Sequence, residues 1–138
     1  MYVNFITKVV DTDEIKELIE SETEFKVLSD LSNASKREDM VAYKLGISVD
    51  FIKSILEEDY DLNEYSEDEL FDEYLSTAEE IGTDMIEEKM PQDARVDIRA
   101  YTIDEVDNII KLVMVMANEE LGEAKIIDVL RRLLKQID

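Results

Sequence analysis

The sequence predicts a mainly α domain with two short strands, near residues 2–10 and 95–103. Three observations carry this. The chain of 138 residues holds one Pro and three Gly, so little interrupts regular structure. Apolar residues recur at helical spacing over much of it, most plainly after Ser66. Two segments alone, 1–10 and 95–103, carry a β-branched or alternating pattern. At this length a single domain, 1–138, buries roughly 70% of the unfolded chain's surface, enough for an ordinary core.

Each element has its own reason. Tyr2, Val3, Phe5, Ile6, Thr7, Val9 and Val10 favour a strand. Asp11 and Asp13 offer a helix cap, and Ile15, Leu18 and Ile19 form the first apolar face. Phe25, Val27, Leu28 and Leu31 suggest a second short helix, followed by a loop at Asn33-Ala34-Ser35. Segments 37–45 and 49–58 read as two more short helices, parted at Gly46-Ile47-Ser48. Ser66 followed by Glu69 is a capping-box pattern and starts an acidic amphipathic helix over 66–90. Leu70, Phe71, Tyr74, Leu75, Ala78, Ile81, Met85 and Ile86 share its inner side, and Pro91 ends it. Val96, Ile98 and Ala100 alternate with charged residues, giving a second strand that would pair with the first. Segment 104–121 is so apolar that it predicts a helix in the core or in a dimer seam. Gly122 breaks it, and a last amphipathic helix over 124–137 completes a C-terminal helical hairpin, 104–137, with a homodimer contact expected there.

Composition excludes several functions. Lys and Arg number 15 and Asp and Glu 36, a net charge of −21, with no Cys, no His and no Trp. No disulfide framework and no thiolate or imidazole zinc site is available. No Ser-His-Asp or Cys-His nucleophile system can be assembled. The overall field opposes nonspecific binding to nucleic acid or to an anionic membrane. There is no Gly-rich phosphate loop, and no constellation points to an enzyme or a cofactor. Asp59-Tyr60-Asp61-Leu62-Asn63 has the spacing of an EF-hand start, but Glu64 and Leu70 stand where that loop needs Gly and Glu, so no metal site is expected. The N-terminus lacks a basic start and a long apolar run, which reads as a cytoplasmic protein.

Residues 38–55, with Ala42, Gly46, Ile47, Ser48, Ile52 and Ile55, carry a pattern of their own. A small residue sits where two helices would cross, a glycine where a turn would need positive φ, and a serine where the next helix would begin. This pattern resembles the helix-turn-helix of Xre/Cro-type DNA-binding domains, with the unit spanning about 25–58. The resemblance implies a second helix that reads the major groove, with Lys36, Arg37, Lys44, Lys53 and Ser54 as DNA contacts. Asp50, Glu57, Glu58 and Asp59 repel phosphates, which makes a dimeric DNA-binding regulator the second reading.

The first reading rests on the acidic stretch 57–88, which holds 15 carboxylates and no Lys or Arg. A solvated helix ordinarily mixes signs and gains from i,i+4 Glu–Lys pairs. Carboxylates on successive helical turns repeat every ~5.4 Å, of the same order as the ~3.4 Å axial repeat of phosphates along a DNA strand. Such a surface suits a basic, nucleic-acid-binding partner. Glu57, Glu58, Asp59, Asp61, Glu64, Glu67, Asp68, Glu69, Asp72, Glu73, Glu79 and Glu80 are the expected contacts, with Tyr60 and Tyr65 as aromatic anchors. In composition the chain is similar to small acidic inhibitor proteins of viruses and mobile elements. That similarity implies a non-enzymatic, nucleic-acid-mimic inhibitor or regulator: anti-defence (an anti-CRISPR protein, for instance), antirepressor, antitoxin or immunity protein. Arg131, Arg132 and Lys135 oppose the dipole of the last helix and otherwise form a small basic patch.

Overall fold

The computed structural model describes residues 1–6 and 8–137. Thr7, part of the expected first strand, and Asp138 lie outside the described residues. The chain is a mixed α/β fold, not a mainly α one. It opens with a hairpin of β1 (Tyr2–Phe5) and β2 (Lys8–Asp11), in which Val3 faces Val10. Asp11 caps α1 (Thr12–Glu22) by accepting the Asp13 N–H at 3.0 Å. A second sheet takes β3 (Lys26–Asp30), β4 (Met40–Ser48), β5 (Ala94–Asp104) and β6 (Ile109–Asn118) in the order β3-β4-β6-β5, with every pair antiparallel. Helices α2 (Val49–Glu57) and α3 (Glu67–Lys89) connect β4 to β5, and α4 (Glu123–Gln136) follows β6. The helix begun at Ser66 has both halves of its capping box.

Side chains alternate across a strand, and here both faces of the sheet are covered. Val41, Tyr43, Leu45 and Ile47 of β4, with Ile110, Leu112, Met114 and Met116 of β6, meet α1, α2 and α3. Met40, Ala42, Val113, Val115 and Ala117 meet Ile126, Val129, Leu130 and Leu133 of α4. A central strand buried on both faces loses its polar alternation and reads as a continuous apolar run. For this reason Ile109–Asn118 resembles a helix that is apolar all round, yet it is the strand between β4 and β5. The C-terminal helical hairpin over 104–137 does not exist, and the apolar surface assigned to a dimer seam lies within the chain's own core.

The helix-turn-helix is overturned in the same way. Met40–Ser48 is a strand of nine residues, and Phe25–Leu31, read as a helix, contains β3. Gly46 makes no turn. A Cβ there would stand 2.9 Å from Ile109 Cγ2 and 3.1 Å from Leu28 Cδ1, so close packing against two side chains requires glycine. Of the helices expected in the supposed unit, α2 is present, with Ser48 at its N-cap as expected, and the loop at Asn33–Ser35 is a short 3-10 turn. The strand near 95–103 is present as β5, but its partner is β6 and not the N-terminal segment. That segment is itself a two-stranded hairpin. Asp104, read as the start of a helix, instead closes the β5–β6 turn by accepting the Val106 and Asp107 N–H groups at 3.0 and 3.1 Å. No helix among the described residues is long and apolar enough to cross a membrane.

Candidate functional site

Two surfaces of opposite charge lie on opposite faces of the four-stranded sheet. On the side of α1, α2 and α3, residues 57–88 run through the end of α2, a 3-10 turn at Leu62–Glu64, and α3. The helical period places Ala78, Gly82 and Ile86 of α3 inward and turns most of its acids outward. Of the 15 carboxylates in 57–88, 13 are exposed, and Glu73 and Glu79 are half-buried. Among the described residues two of them form salt bridges, Glu57 with Lys53 at 3.9 Å and Glu79 with Arg99 at 3.6 Å. Among the described residues the other 13 carboxylates of this stretch form no salt bridge.

Aromatic side chains stand among these acids. Tyr60 is exposed, Tyr65 is half-buried, and their rings meet edge to face at 6.4 Å. Desolvation, with Glu73, Tyr60, Glu69 and Glu64 close by, raises the Tyr65 hydroxyl above its ordinary range, so it stays a neutral donor. Phe71, expected on the inner side of the helix, is instead exposed on the first turns of α3, because the buried stripe runs through Ala78, Gly82 and Ile86 further along. Glu79 departs from the expected contact set. It is turned toward the sheet, where its carboxylate accepts the Ala100 N–H. Glu57, Glu58, Asp59, Asp61, Glu64, Glu67, Asp68, Glu69, Asp72 and Glu80 remain solvent-facing.

The residues expected to touch DNA do not share a surface. Lys53 and Ser54 lie on α2, the first paired with Glu57 and the second donating to the Phe51 carbonyl at 2.7 Å. Lys44 is half-buried on β4, on the α4 side of the sheet. Lys36 and Arg37 lie in the loop between β3 and β4, beside α4.

That last placement gathers cations that the sequence keeps far apart. Lys36, Arg37, Lys125, Arg131, Arg132 and Lys135, with Ser35, Asp128 and Val129, line a cleft of about 680 Å³. Lys125, Arg132 and Lys135 are spaced to fall on one stripe of α4. The loop is held firmly against the helix. Arg132 donates to the carbonyls of Ala34, at 3.3 Å, and of Ser35. Ser35 is buried and its hydroxyl donates to the Ser32 carbonyl at 2.6 Å. Arg37 grips Asp39 with two hydrogen bonds of 2.8 Å, which hold the Asp39 carboxyl below its usual range. The sequence shows these cations as a loop pair and a helix tail; nothing in it marks their convergence.

Among the described residues no group of three or more Asp and Glu is arranged to hold a metal ion. Comparison with protein-family models, curated proteins and solved structures finds no match to this chain.

Proposed function

We propose that this protein is a non-enzymatic binding protein of the cytoplasm, whose acidic α2–α3 face occupies a basic, nucleic-acid-binding surface of a partner protein. The observation that carries the reading is the near absence of counter-charge. Among the described residues the 15 carboxylates of 57–88 meet one lysine and one arginine in salt bridges, although the chain holds 15 basic residues. Like charges left facing water repel one another and favour an oppositely charged partner. Such a partner is attracted from a distance and oriented on approach, so electrostatics raises the association rate more than the final affinity. Tyr60, Tyr65 and Phe71 supply aromatic surface for a desolvated centre within the acidic rim. Anti-defence inhibitor, antirepressor, antitoxin and immunity protein are the roles this mechanism serves.

The test is capture from host extract at low salt, with elution along a salt gradient. A basic nucleic-acid-binding protein released at moderate salt is the expected result. The triple variant Glu58→Lys, Asp72→Lys and Glu80→Lys should abolish capture while the fold, followed by circular dichroism, is kept. Capture that survives these changes rejects the reading.

A further inference from the structure

The cleft beside α4 is independent of the acidic face and of the reading placed on it. We propose that it binds an oligophosphate group: a chain of two or more linked phosphoryl units, free or carried on a nucleotide. Six cations and one carboxylate line it, in a molecule where acids outnumber bases 36 to 15. Lys36, Arg131 and Lys135 form no salt bridge among the described residues, and Lys125 makes only a longer-range approach to Asp39. The cleft is open to solvent, and its lining is predominantly charged.

The backbone gives a second, separate indication. Lys36 adopts φ 59° and ψ 27°, in the left-handed region. A residue with a Cβ pays about 1–2 kcal/mol there, and glycine is the ordinary occupant. In this conformation Lys36 stands on the wall of the cation-lined cleft. The rest of the wall is preorganised, with Arg132 fixed on the loop carbonyls and Arg37 fixed on Asp39. A ligand therefore does not have to order it.

Two physical limits select the ligand class. Charges in water are screened over about 8 Å at physiological salt. A compact anion in the cleft feels these cations and little of the acidic face, whereas a long polyanion would run onto repelling surface. A terminal phosphoryl group brings about two charges and three acceptor oxygens on one tetrahedral centre, each bridging unit adds one charge and two free oxygens, and a carboxylate brings one charge. Lys125 to Lys135 spans ~15 Å along α4, room for linked phosphoryl groups side by side.

Isothermal titration at low salt tests this, with inorganic tripolyphosphate, orthophosphate, ATP and citrate as probes. One saturable site for tripolyphosphate is expected, with orthophosphate and citrate each at least about tenfold weaker. ATP tighter than tripolyphosphate identifies a nucleotide as the source; equal affinity identifies the phosphate chain alone. Arg131→Gln with Lys135→Gln should weaken tripolyphosphate by about tenfold or more. Lys36→Gly is the variant that separates binding from folding. It should weaken binding by about threefold while the thermal midpoint holds or rises, because glycine suits the backbone there. The proposal is overturned by no saturable heat with tripolyphosphate, by citrate binding as tightly, or by affinity unchanged in these variants.

Discussion

Glu79 Oε1 accepts the Ala100 N–H at 2.8 Å, a helix side chain closing the outer edge of β5. The other edge is treated alike, since Glu20 Oε2 accepts the Val27 N–H of β3 at 3.1 Å. Each edge strand also breaks register, β3 between Val27 and Ser29 and β5 between Ala100 and Thr102. Unpaired strand edges invite pairing with another chain, and carboxylates and bulges are the ordinary defence. Glu79 thus differs from its acidic neighbours. Glu79→Ala should cost about 1 kcal/mol in urea unfolding. Asp72→Ala, at an exposed site, should stay within about 0.5 kcal/mol. Partner capture should show the reverse order, with Asp72→Lys more damaging than Glu79→Ala.

Gly46 supports a prediction about packing. A methyl group there meets Ile109 and Leu28 at close range in the middle of β4. Gly46→Ala should destabilise by about 1–3 kcal/mol through overpacking, read as a lower urea midpoint with unchanged slope. If Gly46 were instead a helix-turn-helix glycine at a flexible turn, the loss would come from backbone strain and not from these neighbours. The double variant Gly46→Ala with Leu28→Ala should therefore recover part of the loss.

Tyr43 is fully buried on β4, and its hydroxyl donates to the Thr12 carbonyl at the start of α1. Burial, with Asp30 and Asp13 nearby, keeps the phenol protonated far above neutral pH. Tyr43→Phe removes the donor and should cost about 1–3 kcal/mol, since the carbonyl is left inside without it. Thr12 offers the converse case. Its buried hydroxyl has no hydrogen-bond partner among the described residues, so Thr12→Val should be neutral or stabilising in the same assay.

Asp39 gives a pH dependence with a definite sign. The hydrogen bonds from Arg37 hold its folded pKa below the usual carboxylate value, against the cost of burial. A depressed carboxylate contributes stability that is fully present above its unfolded pKa, about 3.9, and is lost as pH falls through the folded value. The Asp39 carboxyl followed by NMR should titrate below the usual carboxylate range in the parent and move up in Arg37→Gln. Equal midpoints in the two proteins would falsify the account.

The sequence legibly carried what is local. The capping box at Ser66 and Glu69, the Asp11 cap of α1, the helix α2 after Ser48 and the alternation of β5 all depend on neighbours within a few residues. The central strands were hidden because both their faces are covered, and the test that separates strand from helix is a one-sided period. β-branched Ile109, Ile110, Val113 and Val115 were the available signal in β6, and their enrichment outweighs its apolar character. The acidic face was legible because its charges are consecutive in the chain. The α4 cleft was not, because Ser35 and Arg132 meet across 97 residues and only the sheet order brings them together.

The sheet holds α3, with ten carboxylates and one lysine, on one side, and α4, with four cations and two carboxylates, on the other. The molecule is therefore an electric dipole as well as a polyanion. In the field of a basic surface it experiences a torque before contact, which turns α3 forward and leaves α4 trailing. Fewer collisions are wasted on wrong orientations, and the rear of the docked protein still opens to solvent. A complex built on the acidic side thus leaves the α4 cleft free to be filled at the same time.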